Sequence, residues 1–179
     1  MLIADQKFFL DFKAKTEHHW AMHPISGFQG SHGSFWNPGL SDDEIMKYEK
    51  FLGAGFPTDF VNMLSIMNGT TTPNTDYSRT QSLRFRDVYA YPRDLEVVKA
   101  YIEILKPDLS EIVAVLAEQG YNLEKTAKLL PIFSHRYLVC DENRESSVVL
   151  SIVGTDAIVY GEALIEYLQA EFLPQSERS

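Results

Sequence analysis

PIFSHRYLVCDENRESSVVLSIVGTDAIVY, residues 131–160, is the stretch on which the fold class turns. Phe133, His135, Tyr137 and Val139 alternate with Ile132, Ser134, Arg136 and Leu138, which is the period of two that a strand imposes on its side chains. SSVVLSIV is rich in β-branched residues, and Gly154-Thr155-Asp156 is turn chemistry ahead of AIVY. The pattern predicts strands over 132–140, 147–153 and 157–160. Their connections are too short for crossovers, so the sheet they form is antiparallel.

Upstream of the strands the period is helical. Ile3, Phe8, Phe9 and Phe12 predict an opening helix ending near Glu17. Ser41 with Glu44 forms a capping box, in which each side chain satisfies a free backbone N–H, and Ile45, Tyr48 and Leu52 follow on one face. Gly53 and Gly55 stop that helix. Pro57 suits the first position of the next, where its missing N–H costs nothing, and Phe60, Val61, Leu64 and Met67 form its stripe. Asn68-Gly69 reads as a left-handed C-cap.

LRFRDVYAY (83–91) predicts a further strand, and Asp94 and Asp108 each precede a helical stripe. Gly161 leads into a last helix bearing Leu164, Leu168 and Phe172. Helices, then strands, then a helix give an α+β class: an antiparallel sheet with helices packed on one side. The 179 residues suit one domain, 1–179, with a helical insertion at about 94–130.

Composition narrows the function. Apolar residues make up 45% and charged residues 23%, a globular balance. No apolar run approaches the roughly 20 residues of a membrane helix, and the N-terminus lacks the charged-then-apolar order of a signal peptide. A cytoplasmic protein is expected. The net charge is −9, and residues 141–179 hold eight acids against two bases. A nucleic-acid binder needs a basic footprint; the bases Arg79, Arg84, Arg86 and Arg93 are interrupted by Asp87 and preceded by Asp76, so no nucleic-acid partner is expected.

The constellations that carry chemistry are weak. His18, His19, His23 and His32 lie close together, and His19 and His23 have the spacing of a zinc pair on a helix. Pro24 biases His23 out of helical geometry, and no zinc-protease glutamate follows His19, so no metal is expected. Gly27, Gly30 and Gly33 match neither a dinucleotide nor a phosphate loop. Cys140, the single cysteine, reads as a small buried hydrophobe. No catalytic residue and no cofactor are expected.

Residues 35–69, FWNPGLSDDEIMKYEKFLGAGFPTDFVNMLSIMNG, resemble the signature of the SUKH superfamily. Trp36, Glu44, Ile45, Glu49, Leu52, Gly53, Pro57, Asp59, Phe60, Leu64, Asn68 and Gly69 occupy its places, and Phe56 stands where leucine is commoner. The tail from Leu129 to Phe172 also looks like bacterial members, which run from a Pro-Ile-aromatic strand to a final "L…YL…EF" helix. The resemblance implies a non-enzymatic α+β binding domain. Bacterial members look like immunity proteins that neutralise a polymorphic toxin, and eukaryotic relatives are regulators of cell-wall synthesis. The motif residues Trp36, Glu44, Pro57, Phe60, Leu64, Asn68 and Gly69 are structural in that pattern.

Two expectations follow. In the first, the chain binds a protein partner, a basic toxin domain, through Asp141, Glu142 and Glu145 on the connection between two strands. In the second, it is a small-molecule- or peptide-binding adaptor of the cell-wall regulator type, with Phe28, Phe35 and Trp36 walling a cleft. Oligomeric state is left open by the sequence.

Overall fold

The computed structural model describes residues 4–22, 35–71 and 88–175. Helix α1 (Gln6–Met22) opens with the Asp5 carboxylate accepting the Phe8 amide and buries Phe9, Phe12, Thr16 and Trp20 on one face. It runs a turn beyond the expected end at Glu17, because the buried spacing continues to Trp20. Strand β1 (Trp36–Pro38) follows, then helix α2 (Asp42–Leu52) with its full capping box at Ser41 and Glu44. The hydrogen bonds from Ser41 hold the Glu44 carboxyl below its usual range. Gly53, at φ 76°, closes the helix in the left-handed region that glycine enters at little cost. Pro57 is the N-cap of α3 (Thr58–Ile66), which buries Asp59, Phe60, Met63 and Leu64.

Asn68 and Gly69 do not cap α3. They lie in strand β2 (Met67–Thr70), antiparallel to β1, and Met67 already leaves the helix in extended geometry. The reason is tertiary: Asn68 accepts the Tyr91 amide on Oδ1 and donates from Nδ2 to the Tyr91 carbonyl. Those bonds hold 67–70 against the segment at 88–91. Gly69 keeps a positive φ of 63° there, and a Cβ on it would sit 2.6 Å from the Val88 carbonyl oxygen. Of the strand expected at 83–91, residues 83–87 lie outside the described residues; Val88 forms an antiparallel bridge to Phe133.

Helix α4 (Leu95–Leu105), a 3₁₀ turn (Lys106–Asp108) and helix α5 (Leu109–Glu118) precede the main sheet. That sheet is antiparallel, in the order β3 (Lys128–Phe133), β4 (Arg136–Cys140), β5 (Val149–Val153), β6 (Asp156–Gly161). Helix α6 (Leu164–Phe172) ends the fold. The single strand expected over 132–140 is thus a hairpin, and its first arm begins earlier. Ser134, at φ 50°, makes the reversal, and neither it nor His135 belongs to the Gly or Asn pairs that announce such a turn.

Side chains alternate across the sheet, and each face is buried in part, with Val153, Ile158 and Tyr160 left exposed on β5 and β6. Leu130, Leu138, Cys140 and Val149 pack in the core that α1, α2, α3 and α6 share. Leu129, Tyr137, Val139, Leu150, Ile152 and Ala157 pack in a second cluster with Leu105, Ile112 and Leu116. The helices expected on one side are therefore α1, α2, α3 and α6, and α5, in the segment read as an insertion, covers the opposite face. An aromatic chain unites the larger cluster: Trp36 meets Phe12, Trp20 and Phe172, and Phe172 meets Phe133.

Candidate protein-binding face

The β4–β5 connection carries Asp141, Glu142 and Glu145, and two sets of hydrogen bonds fix its shape. Locally, Asp141 Oδ1 accepts the Asn143 amide at 2.8 Å, a side-chain turn that aspartate favours. The Ser146 amide donates to the Asn143 carbonyl at 3.0 Å. Across the fold, Arg144 reaches the α2–α3 junction. Its Nε donates to the Phe56 carbonyl at 2.8 Å, and its Nη2 pairs with Glu49 Oε1. Glu49 Oε1 also accepts the Phe56 amide at 2.8 Å, and the Thr58 amide donates to the Arg144 carbonyl at 2.7 Å. Gly55 permits this approach: a Cβ on it would lie 3.1 Å from Arg144 Nε.

A second anchor holds the end of the connection. Ser147, 1% exposed, donates its hydroxyl to Asp59 Oδ2 at 2.6 Å and accepts the Leu164 amide at 3.0 Å. Burial pushes the Asp59 carboxyl up, against the Ser147 hydroxyl and the Phe60 amide, which favour its ionised form. One serine thereby ties α3, the connection and the start of α6.

The result is a rigid acidic rim. Glu142 and Glu145 are exposed and Asp141 is half-buried. Beside them a hollow of about 350 Å³ is lined by Gly53, Gly55, Thr126 and Cys140 among others. Cys140 is itself fully buried, and desolvation pushes its thiol well up, which makes it a poor nucleophile.

Of the three aromatics expected to wall a cleft, Trp36 is turned into the core. Trp36 is 3% exposed, enclosed by Phe12, Trp20 and Phe172, and its Nε1 donates to Thr16 Oγ1 at 2.8 Å. An indole satisfied inside the core has no face left for a ligand. Phe35 is exposed, and Phe28 lies outside the described residues. The other motif residues have structural places: Glu44 and Pro57 at helix starts, Phe60 and Leu64 in the core, Asn68 and Gly69 in β2. His18 is exposed and His19 half-buried, while His23, His32, the three glycines of 27–33 and Arg79, Arg84 and Arg86 lie outside the described residues. Among the described residues, no three His, Cys, Asp or Glu side chains gather as metal ligands. No described helix is long and apolar enough to cross a membrane.

Glu49 and Arg144 are the pair at this face that the sequence reading missed. They stand 95 positions apart, and only Glu49 belongs to a motif. No family model matches the chain, and no curated protein matches it.

Proposed function

We propose that this chain is a protein-binding domain that neutralises a toxin by direct contact, as the resemblance to SUKH immunity proteins implies. The observation that carries the reading is the acidic connection, presented to solvent yet pinned by Arg144 and Ser147. A preordered surface loses little conformational entropy when a partner docks. Its charge suits a basic toxin domain, and the −9 net charge speeds encounter with such a partner through long-range attraction. The chain acts by occupying the partner's surface, and no chemical step is required of it.

Charge reversal tests the reading. Asp141, Glu142 and Glu145 changed together to Lys should slow association with a toxin domain that the native chain neutralises, most at low ionic strength. In co-expression the native chain should protect cells and the triple variant should not. Full protection by the variant, with unchanged association at low salt, would place the contact elsewhere. Absence of any protection by the native chain would end the immunity reading.

A further inference from the structure

The basic residues of this acidic chain are not spread evenly. Lys99 and Lys106 on the α4 side, and Lys125 and Lys128 at the start of β3, converge on one groove of about 440 Å³. Among the described residues Glu103 is the one acid that lines it, and it pairs with Lys106 at 2.7 Å. Lys99, Lys125 and Lys128 are exposed and have no acidic partner among the described residues. Between the lysines the wall is apolar, built from Ile102, Leu105 and Leu129. At the mouth, Phe51 is 38% and Leu109 40% exposed, although both are large hydrophobes.

Lysines beside apolar surface commonly lay their stems over it and keep the ammonium in water. Such cover needs no convergence, however, and surplus positive charge in a chain of net charge −9 would be neutralised most cheaply by a neighbouring acid. Here three ammonium groups stand around an apolar floor with no acidic partner among the described residues. That combination is complementary to a ligand with an apolar stripe flanked by carboxylates. The groove runs beside the second half of α4, which lines it from Lys99 to Leu105 over about 9 Å, close to two helical turns. Helix-in-groove recognition uses this geometry, with anchors at helical spacing in the groove and charges along its rim.

We infer that this groove docks an acidic amphipathic helix of a partner protein. Leucine-type anchors enter between Ile102 and Leu129, and flanking glutamates meet Lys99, Lys125 and Lys128. The site is separate from the acidic connection and does not depend on its reading. The two are nonetheless neighbours, since Thr126 lines the hollow beside Asp141 while Lys125 and Ala127 line the groove. A partner with charges of both signs is thus able to bridge them.

The probe is a synthetic helix of about fourteen residues with leucines at i, i+3, i+4 and i+7 and glutamates elsewhere on its flanks. A control carries lysines in place of the glutamates. Titrated into the full chain and followed by amide NMR shifts, the glutamate peptide should shift α4 and residues 125–129 and bind at least about tenfold tighter than the control. Lys99→Gln, Lys125→Gln and Lys128→Gln together should weaken it about tenfold and remove most of its salt dependence, with circular dichroism confirming the fold. Phe51→Ser with Leu109→Ser should weaken it while leaving the salt dependence in place. Reversing Asp141, Glu142 and Glu145 should not weaken it. Equal binding of both peptides, or shifts confined to other elements, would overturn the inference. So would dodecanoate alone shifting α4 and 125–129 where the peptide does not, since that would make the groove a small-amphiphile site.

Discussion

The Asp59 carboxylate and the Ser147 hydroxyl, 88 positions apart in the chain, meet inside the protein at 2.6 Å. Asp59 is the second residue of α3, near the positive end of its dipole, and Ser147 ends the acidic connection. The pair anchors the end of a surface connection in the core. Ser147 also receives the Leu164 amide, which joins the start of α6 to the same anchor.

That contact has a pH signature. Burial raises the Asp59 carboxyl above its ordinary 3.8, and burial likewise raises Glu171, against the opposing pull of Arg136 and Tyr160. The native state therefore holds protons in a window where the unfolded chain has released them. Stability from these groups is complete below the ordinary carboxylate values and is lost as pH rises through the raised ones. Asp59→Asn with Glu171→Gln should remove this slope. Urea midpoints measured upward from the ordinary carboxylate range should show native stability falling with pH relative to the variant. Parallel profiles would mean the two carboxyls ionise as they do in the unfolded chain.

Arg144 is half-exposed, so its pair with Glu49 is screened and contributes little alone. Its hydrogen bond to the Phe56 carbonyl adds to this. Arg144→Ala should cost about 1 kcal/mol in global stability. The larger effect is local: amide exchange at Thr58 and Glu145 should quicken well beyond the change in global unfolding. Exchange that tracks global stability alone would show that the connection is held by its own turn.

Leu64 is 2% exposed, at the centre of the larger cluster. Leu64→Ala should destabilise the protein by about 2–5 kcal/mol, through lost burial plus the cavity left behind. A loss below about 0.5 kcal/mol in chemical denaturation is the size expected of a surface substitution, and would place Leu64 outside the core.

Local chemistry made much of this fold legible. The Ser41–Glu44 box, the glycine after Leu52, the proline before Thr58 and the β-branched run at 148–153 act over a few residues, and each specified its element. The hairpin at Ser134 was illegible because its turn residues carry no glycine or asparagine, so two arms read as one strand. Asn68-Gly69 carried a cap signal, and bonds to Tyr91 overrode it. Trp36 illustrates the limit for sites: an aromatic in a glycine-rich loop looks available to a ligand, and only packing against Phe12, Trp20 and Phe172 shows that it is not.

By itself, then, the sequence determined the α+β class, the antiparallel pairing, the capped helices and the acidic second half, because periodicity, caps and charge are properties of neighbours in the chain. Tertiary structure decided which helices cover which sheet face, that Arg144 pins the acidic connection to Glu49, and that four lysines from separate segments surround one groove. Those relationships join residues dozens of positions apart. Their energy is realised only once the core has closed the loops between them, and no local pattern encodes that closure.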